Sequence, residues 1–303
     1  MSACPPTRAP SPTRAPSSSL AEELVSVILT TYEKPRELEL VLAGYHGQDD
    51  GNFEVVVADD GSGEETARVV RKAAKKAPYP LVHVWHPDRG FRKPEILNRA
   101  LCHARGSYVL FSDGDCIPRH DLVSTHRCLA RPGRFLSGGY VRLSPRVSAS
   151  LEVADVHAGR PFDPAWLRSR GQRLGRRRLR LLARGPLSRG LDRLTPTSPT
   201  FNGMNTSVWR RHVLEADGFE LDFGWGGLDR ELGERLENMG LRGVQVRHRA
   251  VVVHLHHHRP YRDPRLVARQ KAHRTRVARD GRTRAEQGIS ALDDSVTERV
   301  WMS

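Results

Sequence analysis

The chain has 303 residues, of which 38% are hydrophobic, and its formal net charge is +14. This suffices for one large folded domain with a real core, and no apolar run approaches the roughly 20 residues of a membrane-spanning helix. Residues 1–22 are rich in Pro, Ser, Thr and Arg without an apolar segment, which predicts a disordered leader rather than a secretory signal. The four cysteines have no metal-like spacing and predict reduced thiols in a cytoplasmic protein.

Short apolar strands alternate with amphipathic helices in the first part of the chain. Strands are predicted at residues 25–30, 53–58, 81–85 and 107–111. Helices follow the first three strands, with Pro35 and Pro94 in their first turns. This alternation predicts an α/β fold with a Rossmann-like, mostly parallel sheet that has helices on both faces. Ligands of such sheets bind at the carboxyl ends of the strands.

The pattern is less regular after residue 122. Further strands are predicted at 135–143 and 244–253, and a helix at 229–239. An Arg-rich insertion is assigned to residues 160–197, and a basic helical tail to residues 259–303. The main domain is therefore predicted at residues 23–258, with a nucleotide-binding half up to residue 125 and an acceptor-binding half after it.

Two acids, Asp113 and Asp115, stand one residue apart at the end of the fourth predicted strand. Carboxylates at this spacing can converge on one divalent cation. Mg²⁺ and Mn²⁺ favour carboxylate and phosphate oxygens, so a nucleotide diphosphate is the natural source of the remaining ligands. Taken alone, an Asp-Gly-Asp after a strand is more typical of an ordinary turn.

The other strand ends also carry polar groups. Thr30 and Tyr32 can hold a base by hydrogen bonding and stacking, and Asp60 can accept from a base N–H. Arg92 and Lys93 can neutralise a diphosphate. Each group also has a plainer interpretation, as a strand end, a helix N-cap or a solvated charge.

A second block, residues 223–232, contains Trp225 among three glycines. Each glycine costs backbone entropy, so a plain turn explains this composition poorly. A flat surface for stacking a sugar explains it better, with Trp225, Gly226 and Gly227 on the acceptor side. Asp229 follows at the N-terminus of the next helix, where its carboxylate is stabilised. Asn205 is assigned to the same acceptor side.

Four histidines stand within residues 254–258. Because only alternate side chains of a strand share a face, a self-contained histidine metal site is not expected. One ligand beside Asp115 is predicted, and His254, His256 and His257 remain open as that ligand.

In this order, the motifs resemble those of the family 2 glycosyltransferases of the GT-A fold, over about residues 25–258. The motifs that carry the resemblance are Val27-Ile28-Leu29-Thr30-Thr31-Tyr32, Asp59-Asp60-Gly61-Ser62, Gly90-Phe91-Arg92-Lys93, Asp113-Gly114-Asp115 and Gly224-Trp225-Gly226-Gly227-Leu228-Asp229. The last motif is similar to the acceptor-side motif of the chondroitin-polymerase and galactosyltransferase-like branch.

The resemblance implies a role for each matching residue. Thr30, Tyr32 and Asp60 would hold the base, usually uracil, and Asp113 would face the ribose and the metal. Asp115 and His254 would ligate Mn²⁺ or Mg²⁺.

In the implied reaction, the residue matching the catalytic base is Asp229. It would deprotonate an acceptor hydroxyl that attacks the sugar of a nucleotide-sugar donor with inversion. Arg92 and Lys93 would stabilise the leaving diphosphate. One departure is Leu228, which stands where the family usually has a glutamate that contacts the acceptor sugar. The acceptor, a glycan, a lipid-linked or a small molecule, therefore stays open.

Three alternatives compete with this interpretation. A nucleotidyltransferase would carry a Gly-rich basic loop after the first strand, and residues 30–33 lack one. The charge would suit a nucleic-acid-binding protein, but the arginines cluster outside the strand-end motifs and no recognised nucleic-acid motif is present. The Arg/Leu stretch 168–193 suits a peripheral contact with an inner membrane face, or a flexible lid over the acceptor.

Overall fold

The computed structural model describes residues 23–224, 226–257, 264–293, 295–296 and 298–302. The predicted leader lies outside the described residues. The strands are β1 (Val25–Thr31), β2 (Phe53–Asp59), β3 (Leu81–Trp85), β4 (Tyr108–Asp113), β5 (Cys116–Pro118), β6 (Arg134–Ser137), β7 (Gly139–Arg142), β8 (Asn205–Trp209), β9 (Arg242–Gln245), β10 (Val251–His254) and β11 (Arg299–Met302).

Helices connect many of the strands and pack against the sheet. They are α1 (Pro35–His46), α2 (Glu64–Ala74), α3 (Lys93–His103), α4 (Leu122–Leu129), α5 (Pro145–Ser150), α6 (Val153–His157), α7 (Pro164–Ser169), α8 (Arg178–Leu182), α9 (Gly185–Leu194), α10 (Arg210–Glu215), α11 (Leu228–Asn238) and α12 (Pro264–Arg279). None of the helices in the described part of the chain is long and apolar enough to cross a membrane.

Eight of the described strands form one mixed sheet in the order β11-β3-β2-β1-β4-β8-β6-β9. Strands β3, β2, β1 and β4 are parallel, whereas β11 and β8 run antiparallel to their neighbours. A smaller sheet has the order β5-β10-β7. The predicted α/β class with a mostly parallel central sheet is confirmed.

The core lies on both faces of the large sheet because successive side chains of a strand point to opposite faces. On β1, Val27 and Leu29 pack in one hydrophobic cluster with Leu38 of α1. Ile28, between them, packs in the other cluster with Ile96 of α3. Two covered faces explain why these strands are continuously apolar.

Two predicted strands are each divided between the two sheets. The run 135–143 is split into β6 and β7 at Gly138 and Gly139. A Cβ on Gly138 would lie 2.3 Å from the Asn205 side chain, and one on Gly139 would lie 2.1 Å from the Arg247 carbonyl oxygen. Only glycine permits this close passage between the sheets. The run 244–253 is likewise split into β9 and β10 by a turn.

The Arg-rich insertion consists of short helices that include α7, α8 and α9. Its leucines at seven-residue spacing, Leu167, Leu174 and Leu181, are buried in the core. The tail is helical only in its first part, since β11 near its end pairs with β3 at the edge of the large sheet. The edge strand was not expected, because nothing in four isolated residues predicts pairing across more than 200 positions.

Candidate functional site

The Asp-Gly-Asp turn lies between β4 and β5, against the end of β1. The amide of Gly114 donates to the Thr30 carbonyl at 2.7 Å. A Cβ on Gly114 would lie only 2.9 Å from that carbonyl oxygen, so a larger residue would push the turn away. Glycine thus holds Asp113 and Asp115 at the carboxyl edge of β1 and β4.

Asp113 is paired on the inner side of this edge. It accepts hydrogen bonds from Lys93 Nζ and from Thr30 Oγ1, each at 2.7 Å. Burial alone would raise the pKa of Asp113, but the Lys93 charge and these two hydrogen bonds outweigh it and lower the pKa to about 2. Asp113 is therefore ionised at neutral pH, and Thr30 orients it.

Asp115 faces a different set of groups. Its Oδ2 lies 2.9 Å from Lys34 Nζ and 3.5 Å from His257 Nε2, and its Oδ1 lies 3.9 Å from His254 Nε2. His254 Nδ1 donates to the Leu255 carbonyl at 2.5 Å. Because Nδ1 carries the proton, Nε2 keeps its lone pair on the side of Asp115.

The donor set around Asp115 fits a divalent cation. Asp115, Cys116 and His254 each offer an atom within 4.8 Å of the others. Burial raises the pKa of the Cys116 thiol well above its ordinary value, and a protonated thiol is a poor ligand for Mg²⁺ or Mn²⁺. The carboxylate and imidazole that remain suit Mn²⁺ or Mg²⁺, with positions left for phosphate oxygens.

Two of the three candidate histidine ligands, His254 and His257, lie near Asp115. His254 is buried and His257 half-buried, and both approach Asp115 with their rings stacked at 5.3 Å. His256 is exposed, and its backbone amide donates to Ser148 Oγ. His258 lies outside the described residues.

The part of the edge that is predicted to hold the base is formed around Asp60. This buried carboxylate accepts from His86 Nε2 at 2.8 Å and from the backbone amide of Arg92 at 3.1 Å. The Tyr32 hydroxyl donates to Asp88 at 3.0 Å. The Tyr32 side chain is 45% exposed, which leaves its ring accessible for stacking. His86 was not singled out from the sequence, although its position directly after β3 was the available signal.

The two predicted cations, Arg92 and Lys93, are separated. Arg92 donates to Glu95 at 2.9 Å and to the Pro87 carbonyl, so its guanidinium is engaged on the base side. Lys93 instead joins the acids at the site. Successive residues at a helix start project in directions about 100° apart, which explains the divergence.

Asp229 lies in the first turn of α11, and the backbone of Gly203 lies against it. A Cβ on Gly203 would be 2.4 Å from Asp229 Oδ1. This oxygen is buried and has no hydrogen-bond partner among the described residues. Burial raises the pKa of Asp229, the Lys93 charge and the adjacent Gly203 backbone lower it, and the Asp113 charge raises it. Asp229 therefore shares one electrostatic environment with Lys93 and Asp113.

The glycine turn before α11 has a backbone that needs glycine. Gly226 and Gly227 both have φ of +95°, a region that L side chains rarely adopt. Trp225 lies outside the described residues, so its stacking role stays a prediction.

Gln270 of α12 lies against this turn. It is 5% exposed, and neither its Oε1 nor its Nε2 has a partner among the described residues. A Cβ on Gly226 would lie 3.6 Å from Gln270 Oε1. Sequence reasoning missed Gln270, because it stands in the tail and carries no local motif.

Helix α12 is fixed to α11 and the turn. Arg274 forms an ion pair with Glu234, and the His273 ring meets the Phe223 ring edge-on at 5.1 Å. Gln270 is consequently held in place by its own helix.

Asn205 does not lie where the sequence prediction assigned it. Its side chain is fully buried and donates to the carbonyl oxygens of Gly139 at 2.8 Å and Ala250 at 3.2 Å, while its oxygen lies 2.8 Å from His126 Nε2. These contacts join the large sheet to the small one. Because both the oxygen and the nitrogen of the carboxamide are engaged in these contacts, we assign Asn205 to the support of the fold and not to acceptor contact.

The sequence is similar to those of known glycosyltransferases. Residues 26–126 match the family model described as Glycosyl transferase family 2. Validoxylamine A glucosyltransferase of Streptomyces hygroscopicus subsp. jinggangensis is 28% identical over 232 residues, covering 72% of this chain and 52% of that protein. The chain thus spans about half the length of the curated relatives it matches.

Solved structures share the fold. The mannosyltransferase PcManGT from Pyrobaculum calidifontis, in complex with GDP-Man and Mn²⁺, aligns with a TM-score of 0.52 at 23% identity, over 86% of this chain and 64% of that one. The 1–349 fragment of S. aureus TarS, in complex with UDP-GlcNAc, aligns with a TM-score of 0.55 at 16% identity, over 85% of this chain and 71% of that one. The family match thus covers the strand-end motifs of residues 26–126, and the likeness to these structures shows that the chain has the GT-A fold.

Proposed function

We propose that this protein is an inverting, metal-dependent transferase that moves a sugar from a nucleoside diphosphate donor, most simply a UDP-sugar, to a hydroxyl group of an acceptor. The observation that carries the proposal is the buried, unpartnered Oδ1 of Asp229 beside the Lys93–Asp113 pair. An unpaired buried carboxylate oxygen costs free energy unless something binds to it. An acceptor hydroxyl is the group that a general base requires there.

The donor would bind along the carboxyl edge of β1, β2 and β4. The Tyr32 ring stacks on the base, and Asp60, held by His86, accepts from a base N–H. Lys93, whose charge interacts with those of Asp113, Asp229 and Asp115, would neutralise a diphosphate that binds beside these acids. Asp115 and His254 would hold Mn²⁺ or Mg²⁺, which when bound stabilises the charge on the departing diphosphate.

Asp229 then removes the acceptor proton. The hydroxyl oxygen attacks the anomeric carbon from the face opposite the diphosphate, and the bond from that carbon to the phosphate oxygen breaks with its electron pair. Attack from the opposite face inverts the configuration. A raised pKa brings the base closer to neutrality and increases its driving force for proton transfer.

The acceptor would be held by the glycine turn and by Gln270. A carboxamide offers both a donor and an acceptor, which suits the paired hydroxyls of a sugar. Gln270 could compensate for Leu228, which cannot make the polar contact that the family's usual glutamate makes.

A screen of sugar nucleotides by thermal shift and by nucleoside diphosphate release, with Mn²⁺, Mg²⁺ or EDTA, tests this function. We expect metal-dependent stabilisation by a UDP-sugar and loss of that response in Asp115→Ala. Asp222→Ala, which removes an exposed acid just before the glycine turn, is the control and should behave as wild type. If neither EDTA nor Asp115→Ala changed the rate of nucleoside diphosphate release, the metal assignment would be contradicted.

A further inference from the structure

The Arg-rich insertion exposes an unusual set of apolar side chains. Leu179 and Leu182 of α8 are 38% and 54% exposed, and Leu187 and Leu194 of α9 are 60% and 82% exposed. These four lie within 16 residues of sequence. Leu187 and Leu194 are spaced at i and i+7 and so share one side of α9. Exposed leucines so close in sequence are a sign of an interaction surface.

The exposed leucines stand on a fixed platform. Leu167, Leu174 and Leu181 anchor its inner side in the core. Asp192 of α9 accepts from the His248 backbone amide at 2.9 Å and from Arg249 at 2.7 Å. Because one side of each helix is held, the opposite side is displayed to its surroundings. This does not agree with a flexible lid.

The same region is strongly basic. Its only acid between residues 168 and 193, Asp192, is buried and paired. It contains ten arginines: Arg168, Arg170, Arg173, Arg176, Arg177, Arg178, Arg180, Arg184, Arg189 and Arg193. An open cavity of about 950 Å³ is lined by four of these, Arg168, Arg173, Arg176 and Arg178, together with Leu174 and Leu179. A guanidinium-lined cavity beside exposed leucines suits a phosphate with an attached apolar chain.

We propose that α8, α9 and this cavity form a docking surface for an anionic phospholipid membrane. The exposed leucines enter the boundary between headgroups and acyl chains, and the arginines bind lipid phosphates. Charge complementarity selects this occupant. A second copy of the chain would set ten arginines against ten, and nucleic acid would leave the leucines without an apolar partner. Docking rests on none of the residues proposed for catalysis.

Flotation of the full chain with vesicles is the test. Vesicles of phosphatidylcholine mixed with phosphatidylglycerol should bind the protein, and vesicles of phosphatidylcholine alone should not. Leu187→Ser with Leu194→Ser should weaken binding about tenfold, because two side chains leave the acyl boundary. Arg176→Gln with Arg178→Gln should weaken it by at least about tenfold and reduce its salt sensitivity.

Matched controls lie outside the insertion. Val267→Ser on α12 replaces an exposed apolar side chain, and Arg68→Gln on α2 replaces an exposed arginine. Both should bind as wild type, and donor-induced thermal shift should be unchanged in every variant.

Several results would overturn the docking proposal. They are equal flotation with uncharged vesicles, no flotation at all, equal losses in variants and controls, and a salt-sensitive gel shift with duplex DNA in a protein that does not float. Self-association that the leucine substitutions abolish would assign the surface to a second copy instead.

Discussion

The proposed donor side and the proposed acceptor side of the cleft differ in how completely their carboxylates are paired. On the donor side, Asp113 is held by Lys93 and Thr30, and Asp60 by His86 and the Arg92 amide. On the acceptor side, buried polar atoms of Asp229 and Gln270 have no partner in the described part of the chain. The carboxylates of the proposed donor side are therefore held in place before any substrate binds, although His86 Nδ1 and Arg92 Nε beside them also have no hydrogen-bond partner among the described residues. The acceptor side keeps unsatisfied groups that a hydroxyl-bearing ligand can complete, at a cost to stability.

The largest expected effect is on transfer in Asp229→Asn. The amide keeps the shape of the side chain but cannot accept the acceptor proton, so turnover should fall about 10²- to 10⁴-fold. Nucleoside diphosphate release with and without acceptor measures this. Full transfer rates in Asp229→Asn, with metal dependence intact, would refute its assignment as the base.

The next effect is on stability, in Lys93→Gln. Removing this cation leaves Asp113 with a partly buried, unpaired charge. We expect a loss of about 2 kcal/mol, less than for a fully buried pair because each side chain is about a quarter exposed. Urea unfolding measures the loss. Lys72→Gln, which breaks the exposed pair with Glu39, is the control and should cost much less stability, because solvent screens an exposed pair. Equal losses of stability in the two variants would mean that the Lys93–Asp113 pair stabilises the fold no more than an exposed pair does.

The two acids should give opposite pH dependences of stability. Asp113 has a pKa lowered from 3.8 to about 2, so its stabilising contribution is present above pH 3.8 and is lost as the pH falls towards 2. Asp229 has a pKa raised above 3.8, so its contribution declines as the pH rises from 3.8 through that raised value.

Thermal unfolding across pH distinguishes these contributions. Asp229→Asn should gain stability over wild type as the pH rises, whereas Asp113→Asn should lose its deficit as the pH falls. The pH at which activity falls on the acidic side should also lie above the ordinary pKa of an aspartate. Parallel pH curves for the two variants would contradict this contrast.

The smallest expected effect belongs to Gln270→Leu. Removing an unpaired buried amide should leave the free energy of unfolding unchanged or slightly raised. If Gln270 contacts the acceptor, its loss should raise the acceptor KM several-fold while the donor KM stays unchanged. Initial rates at varied acceptor and fixed donor measure this. An effect on the donor KM alone would remove Gln270 from the acceptor side.

The donor half could be predicted from the sequence because its signals are local. Apolar runs identify β1 to β4, and the rule that ligands bind at carboxyl strand ends places Tyr32, Asp60 and Asp115 at one edge. His254 could be added because it stands at the end of a predicted strand.

The rest depends on packing between distant segments. The split at Gly138 and Gly139 follows from the close passage of Asn205 and Arg247. The helix that carries Gln270 joins the site from the tail. Asn205 resembled a site residue, but the carbonyls that bind it come from β7 and the turn before β10. No local pattern predicts such contacts.

The donor-induced thermal shift in Asp229→Asn and Asp115→Ala, measured side by side with a UDP-sugar and Mn²⁺, tests the separation of the two sides most directly. A preorganised donor side predicts that Asp229→Asn keeps the wild-type shift while losing transfer, and that Asp115→Ala loses the shift. Loss of the shift in Asp229→Asn, or its retention in Asp115→Ala, would contradict this account.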